Sequence, residues 1–347
     1  MNKKTERKQN FVLLIETLRR YGPLTQARLK EYCGVQASTI SYIVNDLKKS
    51  GLLIDTGQIE QNGKVGKPGN LLALNGDANQ VLGIYVEDDL LHVYRVGLDG
   101  KTYISQEVPF DGEHVQAAVS SIIEGQLKGT PALRGIGLAI KAIVYKDGKI
   151  RSGLRHSPGG GGETWNFSDL PGALRQAFPQ TPILVENDAN CAAALYHYEH
   201  RLQDGNLAVY LLNKTPFGIG LGLITQGSVY KGATGAAGEY FDPGGHIRRL
   251  AEDVRTENDL VTQLIPAILP HVFQTVYLMD PECIVLSGSY FESVQPASLA
   301  GIEKLFQPLP IPVHVAGGDQ RLNPAKGVAL LAINKYIARF VEEVTKR

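Results

Sequence analysis

Hydrophobic positions along this chain follow two rhythms. Near the N-terminus, Phe11, Val12, Leu14, Ile15 and Leu18 recur at the three- and four-residue spacing of one helix face, which predicts a helix near residues 8–21. Tyr21-Gly22-Pro23 stops it, and Thr25 is placed to cap a short second helix ending near Cys33. Gly34 then supplies a tight turn, and a third helix is predicted from about Gln36 to Lys49. Leu29, Cys33, Val35, Ile40 and Ile43 flank that glycine as the shared core of two crossing helices, the pattern of a helix-turn-helix. Past Gly51 the period shortens. Leu52–Thr56 reads as a strand and Gln58–Gln61 as part of its partner, with turns at Gly57 and Asn62-Gly63, so a wing is expected after the third helix. The strip Gly63–Gly69, in which flexible glycines bracket Lys64 and Lys67, is suited to lie along a phosphate backbone or in a minor groove, with an ordinary linker as the alternative reading.

A second regime begins at Val81. Residues 81–110 read as three successive strands with a turn at Asp99-Gly100, and residues 206–232 read the same way with Gln226-Gly227 at the matching turn. Helical stretches at 114–127, 168–178 and 188–202 fit crossovers between strands. Two copies of one strand-strand-turn-strand unit predict a duplicated α/β fold with a ligand cleft between lobes. The expected division is a head at 1–75 and a body at 76–347, the body split into lobes of about 76–190 with the C-terminal helix and 191–325.

Charge adds an asymmetry to this division. The 347 residues balance 35 basic against 35 acidic side chains, yet residues 1–70 carry a net +6 and the rest a net −6. A basic head on an acidic body suits nucleic-acid binding. Cys33, Cys191 and Cys283 are far apart and form no paired motif, which argues against a disulfide framework or zinc ribbon and for a reducing, cytoplasmic compartment. The most apolar stretch, Leu207–Ile224, is broken by Lys214 and Pro216 and reads as two strands rather than a membrane span.

The third helix would present Gln36, Ser38, Thr39, Ser41, Tyr42 and Asn45, side chains suited to base edges and phosphates in a major groove. Thr25, Lys48, Lys64 and Lys67 complete the candidate DNA contacts, with Lys48 also complementing the helix dipole. A plain three-helix bundle with a polar surface is the alternative reading of the same pattern.

Two segments of the body are more specific. Leu184–Leu195 (LVENDANCAAAL) and Gly218–Glu239 (GIGLGLITQGSVYKGATGAAGE) resemble the ROK family, named for repressor, open reading frame and kinase. The order of winged head, GKPGNLLALN joint and body resembles the ROK repressors in particular. The resemblance implies an actin-like, two-lobed sugar-kinase fold behind the head. It implies that Asn187-Asp188 and Glu239 face a sugar, Asp188 standing where active kinases place the base for the sugar hydroxyl. Helix capping is the alternative role for Asp188. Arg155–Asn166 stands where relatives bring a loop over the sugar, which makes Asn166 a candidate contact and gives Trp165 a choice between stacking and anchoring.

Two departures from the family pattern carry a functional expectation. The glycine turn that cradles ATP phosphates after the first strand is replaced by Val86-Glu87-Asp88-Asp89-Leu90, whose carboxylates would repel a triphosphate. The family's cysteine-rich zinc loop is absent, since no cysteine occurs between Cys191 and Cys283; Asp242 stands where the family has a histidine, and His246 is either a displaced effector contact or a loop residue. The expectation is a regulator that binds double-stranded operator DNA, needs no cofactor or metal, has lost its kinase chemistry, works as a homodimer or higher oligomer, and responds to a sugar or phosphosugar. The alternatives are an active sugar kinase with a regulatory head and a ligand-independent DNA-binding dimer.

Overall fold

The computed structural model describes residues 3–60, 69–87, 89–130, 132–152, 167, 169–202, 205–214, 217–240 and 242–346. The chain opens with three helices: α1 (Lys3–Tyr21), α2 (Gln26–Cys33) and α3 (Ala37–Lys49). Thr25 caps α2 by accepting the Arg28 amide at 3.3 Å, and Gly34 ends it in the left-handed region at φ +65°, where a Cβ would be costly. Leu29, Ile40 and Ile43 are buried as the spacing predicts, against Phe11, Leu14, Ile15 and Leu18 of α1. Val12 departs from that helical face and is 40% exposed.

The wing differs from the sequence expectation. Gln58–Glu60 does not turn back to pair with Leu52–Thr56. It continues the same strand, β1 (Leu53–Glu60), which passes through Gly57 at φ +73° with a bulge between Asp55 and Ile59. The partner is β2 (Gly69–Leu74), which the sequence reading assigned to the joint. Alternating burial along β2, with Leu72 and Leu74 inward, is the period-2 signal that the flanking glycines obscured. Leu24 also bridges to Leu72, fastening the wing to the start of α2.

The body contains two five-stranded sheets of the same topology. One comprises β3 (Gln80–Glu87), β4 (Leu90–Gly97), β5 (Thr102–Pro109), β6 (Leu133–Ile140) and, after the small hairpin β7 (Ala142–Val144) and β8 (Ile150–Ser152), β9 (Ile183–Asn187). The other comprises β10 (Leu207–Asn213), β11 (Gly218–Thr225), β12 (Ser228–Val229), β13 (Cys283–Ser287) and β14 (Val313–Val315). Their spatial orders are β5-β4-β3-β6-β9 and β12-β11-β10-β13-β14, with the first three strands antiparallel and the last two joined in parallel. The duplication read from the two turn motifs is therefore a duplication of whole sheets. Gln226 and Gly227 both have positive φ, the backbone a tight two-residue hairpin requires.

Helices α4 (Val115–Gly129) and α5 (Leu170–Ala177) cover one face of the first sheet. Over the second sheet lie α7 (His246–Asp253), α8 (Glu257–Asp259), a π turn at Leu260–Leu264, α9 (Ile265–Met279) and α10 (Pro296–Leu305). Two further helices join the lobes. α6 (Asp188–Glu199) leads from β9 into β10, and α11 (Pro324–Lys346) returns from β14 to lie across β3, β4 and β6. They pack on each other so closely that a Cβ on Gly327 of α11 would stand 2.0 Å from the Cys191 carbonyl oxygen of α6.

The head's core does not stop at the head. α1 packs against α11, and Phe11, Leu14, Leu29 and Leu47 form one hydrophobic cluster with Cys191, Ala325, Ile337 and Val341. Among the described residues no helix is long and apolar enough to cross a membrane.

Candidate functional site

The end of β9 and the start of α6 place the central carboxylates. Asn187 is the N-cap: its Oδ1 accepts the Asn190 amide at 3.1 Å, and its Nδ2 donates to the Ala142 carbonyl at 3.2 Å. Asp188 is the first helical residue rather than the cap, so its carboxylate is available for another role. One oxygen accepts the neighbouring Ala189 amide at 2.9 Å. The other lies 3.5 Å from the Tyr85 hydroxyl and 3.4 Å from Asn213 Nδ2. Tyr85 comes from β3 and Asn213 from the end of β10, so both sheets meet at this carboxylate. Asp188 is only 5% exposed, and burial pushes its carboxyl up to about 6 against the opposing pull of Lys141.

Glu239 reaches the same place from the other side. Its backbone bridges to Gly220 of β11, and a Cβ on Gly220 would touch Ala189 at 2.7 Å and approach Asp188 Oδ1 at 3.9 Å. Gly220 thus lies between the Glu239 backbone and the start of α6. Glu239 is accessible to solvent yet recessed, and the loss of bulk water around it, reinforced by the Asp188 charge, pushes its carboxyl up to about 7. The glycines 218, 220 and 222 lie within strand β11. At Gly222 a Cβ would lie 2.0 Å from the Ala189 carbonyl, so glycine there permits α6 to lie directly on β11.

Beside this pair is an ion pair, its carboxylate buried, that the sequence reading missed. Glu186 accepts from Lys231 Nζ at 2.5 Å, from Asn190 Nδ2 at 3.1 Å and from the Asn187 amide at 3.0 Å. It holds the GAAGE segment against the start of α6. Both residues lie inside the motifs already singled out, but neither has a spacing that announces the partnership.

The other half of the site corrects the simple repulsion argument. Glu87, where ATP-phosphate glycines were sought, is not an unpaired repulsive charge. His92 Nε2 lies 3.0 Å away, Arg321 at 3.5 Å and Lys141 at 3.8 Å, and together these partners hold its carboxyl below the usual range despite burial. The turn at Ser287-Gly288-Ser289 keeps a glycine at φ +115°, but the Ser289 amide donates to Asn213 Oδ1 at 3.3 Å. Its donor is turned inward on the protein.

The remaining candidates are scattered by the fold. His246 is exposed at the start of α7, and Asp242 accepts the Arg248 amide at 3.0 Å. Cys33 lies in the head, Cys191 in α6 and Cys283 in β13, so no thiolate set fits a zinc ion. Asn166, with Trp165, lies outside the described residues, as do Lys64 and Lys67.

On the head, Gln36, Ser38, Tyr42 and Asn45 are exposed along α3, while Thr39 and Ser41 are half-buried. Four of the candidates have partners within the protein. Thr25 is buried at 4% exposure with its hydroxyl facing the α2 amide, so it is not on the presented surface. Lys48 pairs with Asp55 of β1 at 2.5 Å, and Ser41 donates to Gln26 Oε1 at 3.0 Å. Tyr42 receives a hydrogen bond from Arg7, which also lies 3.7 Å from Asp46. Lys49, which the end of the third helix offers to phosphates beside Lys48, is exposed, and Arg7 adds a further cation next to Tyr42.

The fold and site define a two-lobed, actin-like sugar-kinase body behind a winged helix-turn-helix head. Over residues 95–257 the chain matches the model of the ROK family. The chain is 26% identical over 240 residues to the xylose repressor of Bacillus subtilis (strain 168), covering 67% of this chain and 59% of that protein. It thus spans about three fifths of the length of this curated relative. A structure described as a ROK family transcriptional regulator, a homologue of the E. coli MLC protein, superposes with a TM-score of 0.70 at 16% identity, covering 98% of this chain and 99% of that one. The ROK hexokinase from Thermus thermophilus superposes at 0.55 and 18% identity, covering 74% and 99%. The curated relatives that match are named repressors, whereas hexokinase and glucokinase structures share the fold of the body.

Proposed function

We propose that this protein is a DNA-binding transcriptional repressor controlled by a sugar bound between its lobes. The head, residues 1–75, reads operator DNA through α3 in the major groove, with Gln36, Ser38, Tyr42 and Asn45 at the bases and Lys49, with Lys64 and Lys67 of the wing, at phosphates. The body, residues 76–347, binds the sugar at Asp188 and Glu239, with Asn187, Asn166 and His246 as further candidate contacts. Two carboxylates near enough for the charge of Asp188 to act on Glu239 suit a polyhydroxylated ligand, since each accepts hydrogen bonds from hydroxyls. Xylose is the first ligand to test, because the curated relatives are named for it. Phosphoryl transfer is not part of the proposal: Glu87 occupies the phosphate side, and the Ser289 amide is engaged by Asn213. The protein works in the cytoplasm as a homodimer, whose paired heads match two half-sites.

The observation that carries this reading is the continuity of structure from site to head. Asp188 begins α6, α6 packs on α11, and α11 carries α1. Arg19 of α1 donates to Asn334 of α11 at 2.7 Å and lies 4.9 Å over the ring of Tyr198 in α6. A change of lobe closure at Asp188 therefore reaches the head through packed side chains. The test is selection of binding sites from random DNA by the purified full chain, followed by fluorescence anisotropy on the selected duplex with and without xylose. The expected result is a salt-sensitive preference for a paired half-site and a shift in affinity with sugar. Equal affinity for selected and random duplexes would overturn the DNA reading, and indifference to a sugar panel would overturn the sensor reading.

A further inference from the structure

The cluster around Glu87 is more than a lost phosphate turn. Glu87 closes β3, His92 lies on β4, Lys141 follows β6, and Arg321 sits in the segment that leads from β14 into α11. All three of those side chains converge on one carboxylate, and all four are nearly buried: side-chain exposure is 12% for Glu87, 2% for His92, and 13% each for Lys141 and Arg321. Lys141 also acts electrostatically on Asp188, so the cluster adjoins the sugar-side carboxylate. The second arm of Arg321 lies 3.3 Å from Glu292, which follows β13 on the other sheet. Arg321 therefore ties a residue of one lobe to a residue of the other.

This arrangement has the chemistry of an occupied anion site. Two cations held in a nearly dry pocket demand a negative partner, because an unpaired buried charge is strongly disfavoured. In a phosphate-binding site the ligand provides such a partner from outside. Here the protein provides it from its own strand. We propose that Glu87 is a built-in counter-anion that fills a phosphate subsite, makes the lobe-bridging contact a bound phosphate would make, and so restricts the cleft to uncharged ligands. This deepens the sensor reading, on which it rests for the identity of the cleft: the effector is a neutral sugar, not a phosphosugar and not a nucleotide. A phosphate brought to Lys141 would meet both Glu87 and Asp188 as like charges.

The test uses the full chain, Glu87→Gln and Glu87→Gln/Lys141→Gln, each titrated with inorganic pyrophosphate and orthophosphate by calorimetry and thermal melting, at ionic strength matched with sodium chloride. Glutamine keeps the shape and removes the charge. The wild type is expected to bind neither anion. E87Q should gain pyrophosphate affinity by about tenfold or more, because the anion then takes the place of the one carboxylate on which Lys141, His92 and Arg321 converge, although Glu292 still holds the second arm of Arg321 and Glu107 still pairs with His92. The double variant should lose that gain. If E87Q does not fold in anion-free buffer, pyrophosphate should restore its folding. Wild type and E87Q binding pyrophosphate equally, a folded E87Q with no gain, or an unfolded E87Q that the anion does not rescue each overturn the proposal. A parallel xylose titration separates the two ideas. If E87Q gains the anion and neither protein binds a sugar, the counter-anion stands and the sugar-sensor reading falls.

Discussion

Replacing Asp188 by Asn should stabilise the protein at pH 8 and leave it unchanged at pH 4.5. The reasoning starts from burial: Asp188 is 5% exposed and its carboxyl is raised from 3.8 to about 6. A carboxyl whose folded pKa is raised holds its proton more tightly when folded. Below the unfolded value there is no penalty; as pH climbs from about 4 to about 6 the unfolded chain ionises first, and the folded state falls behind. Linkage puts this penalty at about 3 kcal/mol at pH 8 and about 1 kcal/mol at pH 4.5. Asn removes it but loses the hydrogen bond from Asn213, a loss of about 1 kcal/mol. The net is a gain of about 2 kcal/mol at pH 8, or about 4 °C in melting temperature for a body of this size, and about zero at pH 4.5. Glu239 is raised in the same sense, but it is accessible to water and its contribution is smaller. Differential scanning calorimetry of wild type and D188N across this pH range is the assay. A D188N protein less stable than wild type at pH 8, or a difference that does not change with pH, would show that the Asp188 charge is already compensated and that the site is structural.

Three further outcomes test other links. Gly327→Ala places a Cβ 2.0 Å from the Cys191 carbonyl and should destabilise the body by about 3 kcal/mol or more, read as a lower denaturant midpoint. Arg19→Met keeps much of the stem but loses the bond to Asn334 and the stacking over Tyr198; it should cost about 2 kcal/mol and, more tellingly, weaken the effect of sugar on DNA affinity, measured by anisotropy. On α3, Asn45→Ala should relax preference at one base pair of the selected site, whereas Lys49→Ala should weaken all duplexes alike and reduce the salt slope by about one.

The elements with a strong local signal were legible in the sequence. Helical spacing located α1 to α3, and the repeated strand-turn-strand pattern anticipated the two matching sheets because a glycine with positive φ, Gly100 or Gly227, closes the corresponding turn in each. The wing was misread because Gly57 resembles a turn, whereas a bulge lets β1 pass through a glycine with positive φ without reversing. The motif LVENDANCAAAL pointed to Asp188, but the roles within it depend on where the helix begins: Asn187, one residue earlier, satisfies the amide of Asn190 and leaves Asp188 free for the recess. Contacts such as Glu186 with Lys231, or Glu87 with Arg321, join residues 45 and more than 200 positions apart. No local pattern encodes such a pair.

The burial pattern also says how the proposed regulation can arise from this fold with few new parts. In a two-lobed body, α6 and α11 are the segments that cross between lobes, so any change in closure moves them relative to at least one sheet. A head attached by a loose tether would ignore that motion. Here α1 instead buries Phe11, Leu14 and Ile15 in the same cluster as Ile337 and Val341 of α11, and Arg19 places a nearly buried guanidinium against residues of both crossing helices. Burying that charge is costly unless its partners keep their places, which makes the contact sensitive to small displacements of α6 against α11. The expected coupling is correspondingly specific. Substitutions at Arg19, Tyr198 or Asn334 should alter the response of DNA binding to sugar while leaving sugar affinity itself near the wild-type value, and a double-mutant cycle between Arg19→Met and Asn334→Ala should show the two effects to be non-additive. Additive effects, or equal losses of sugar affinity in each variant, would mean that the signal travels by another route.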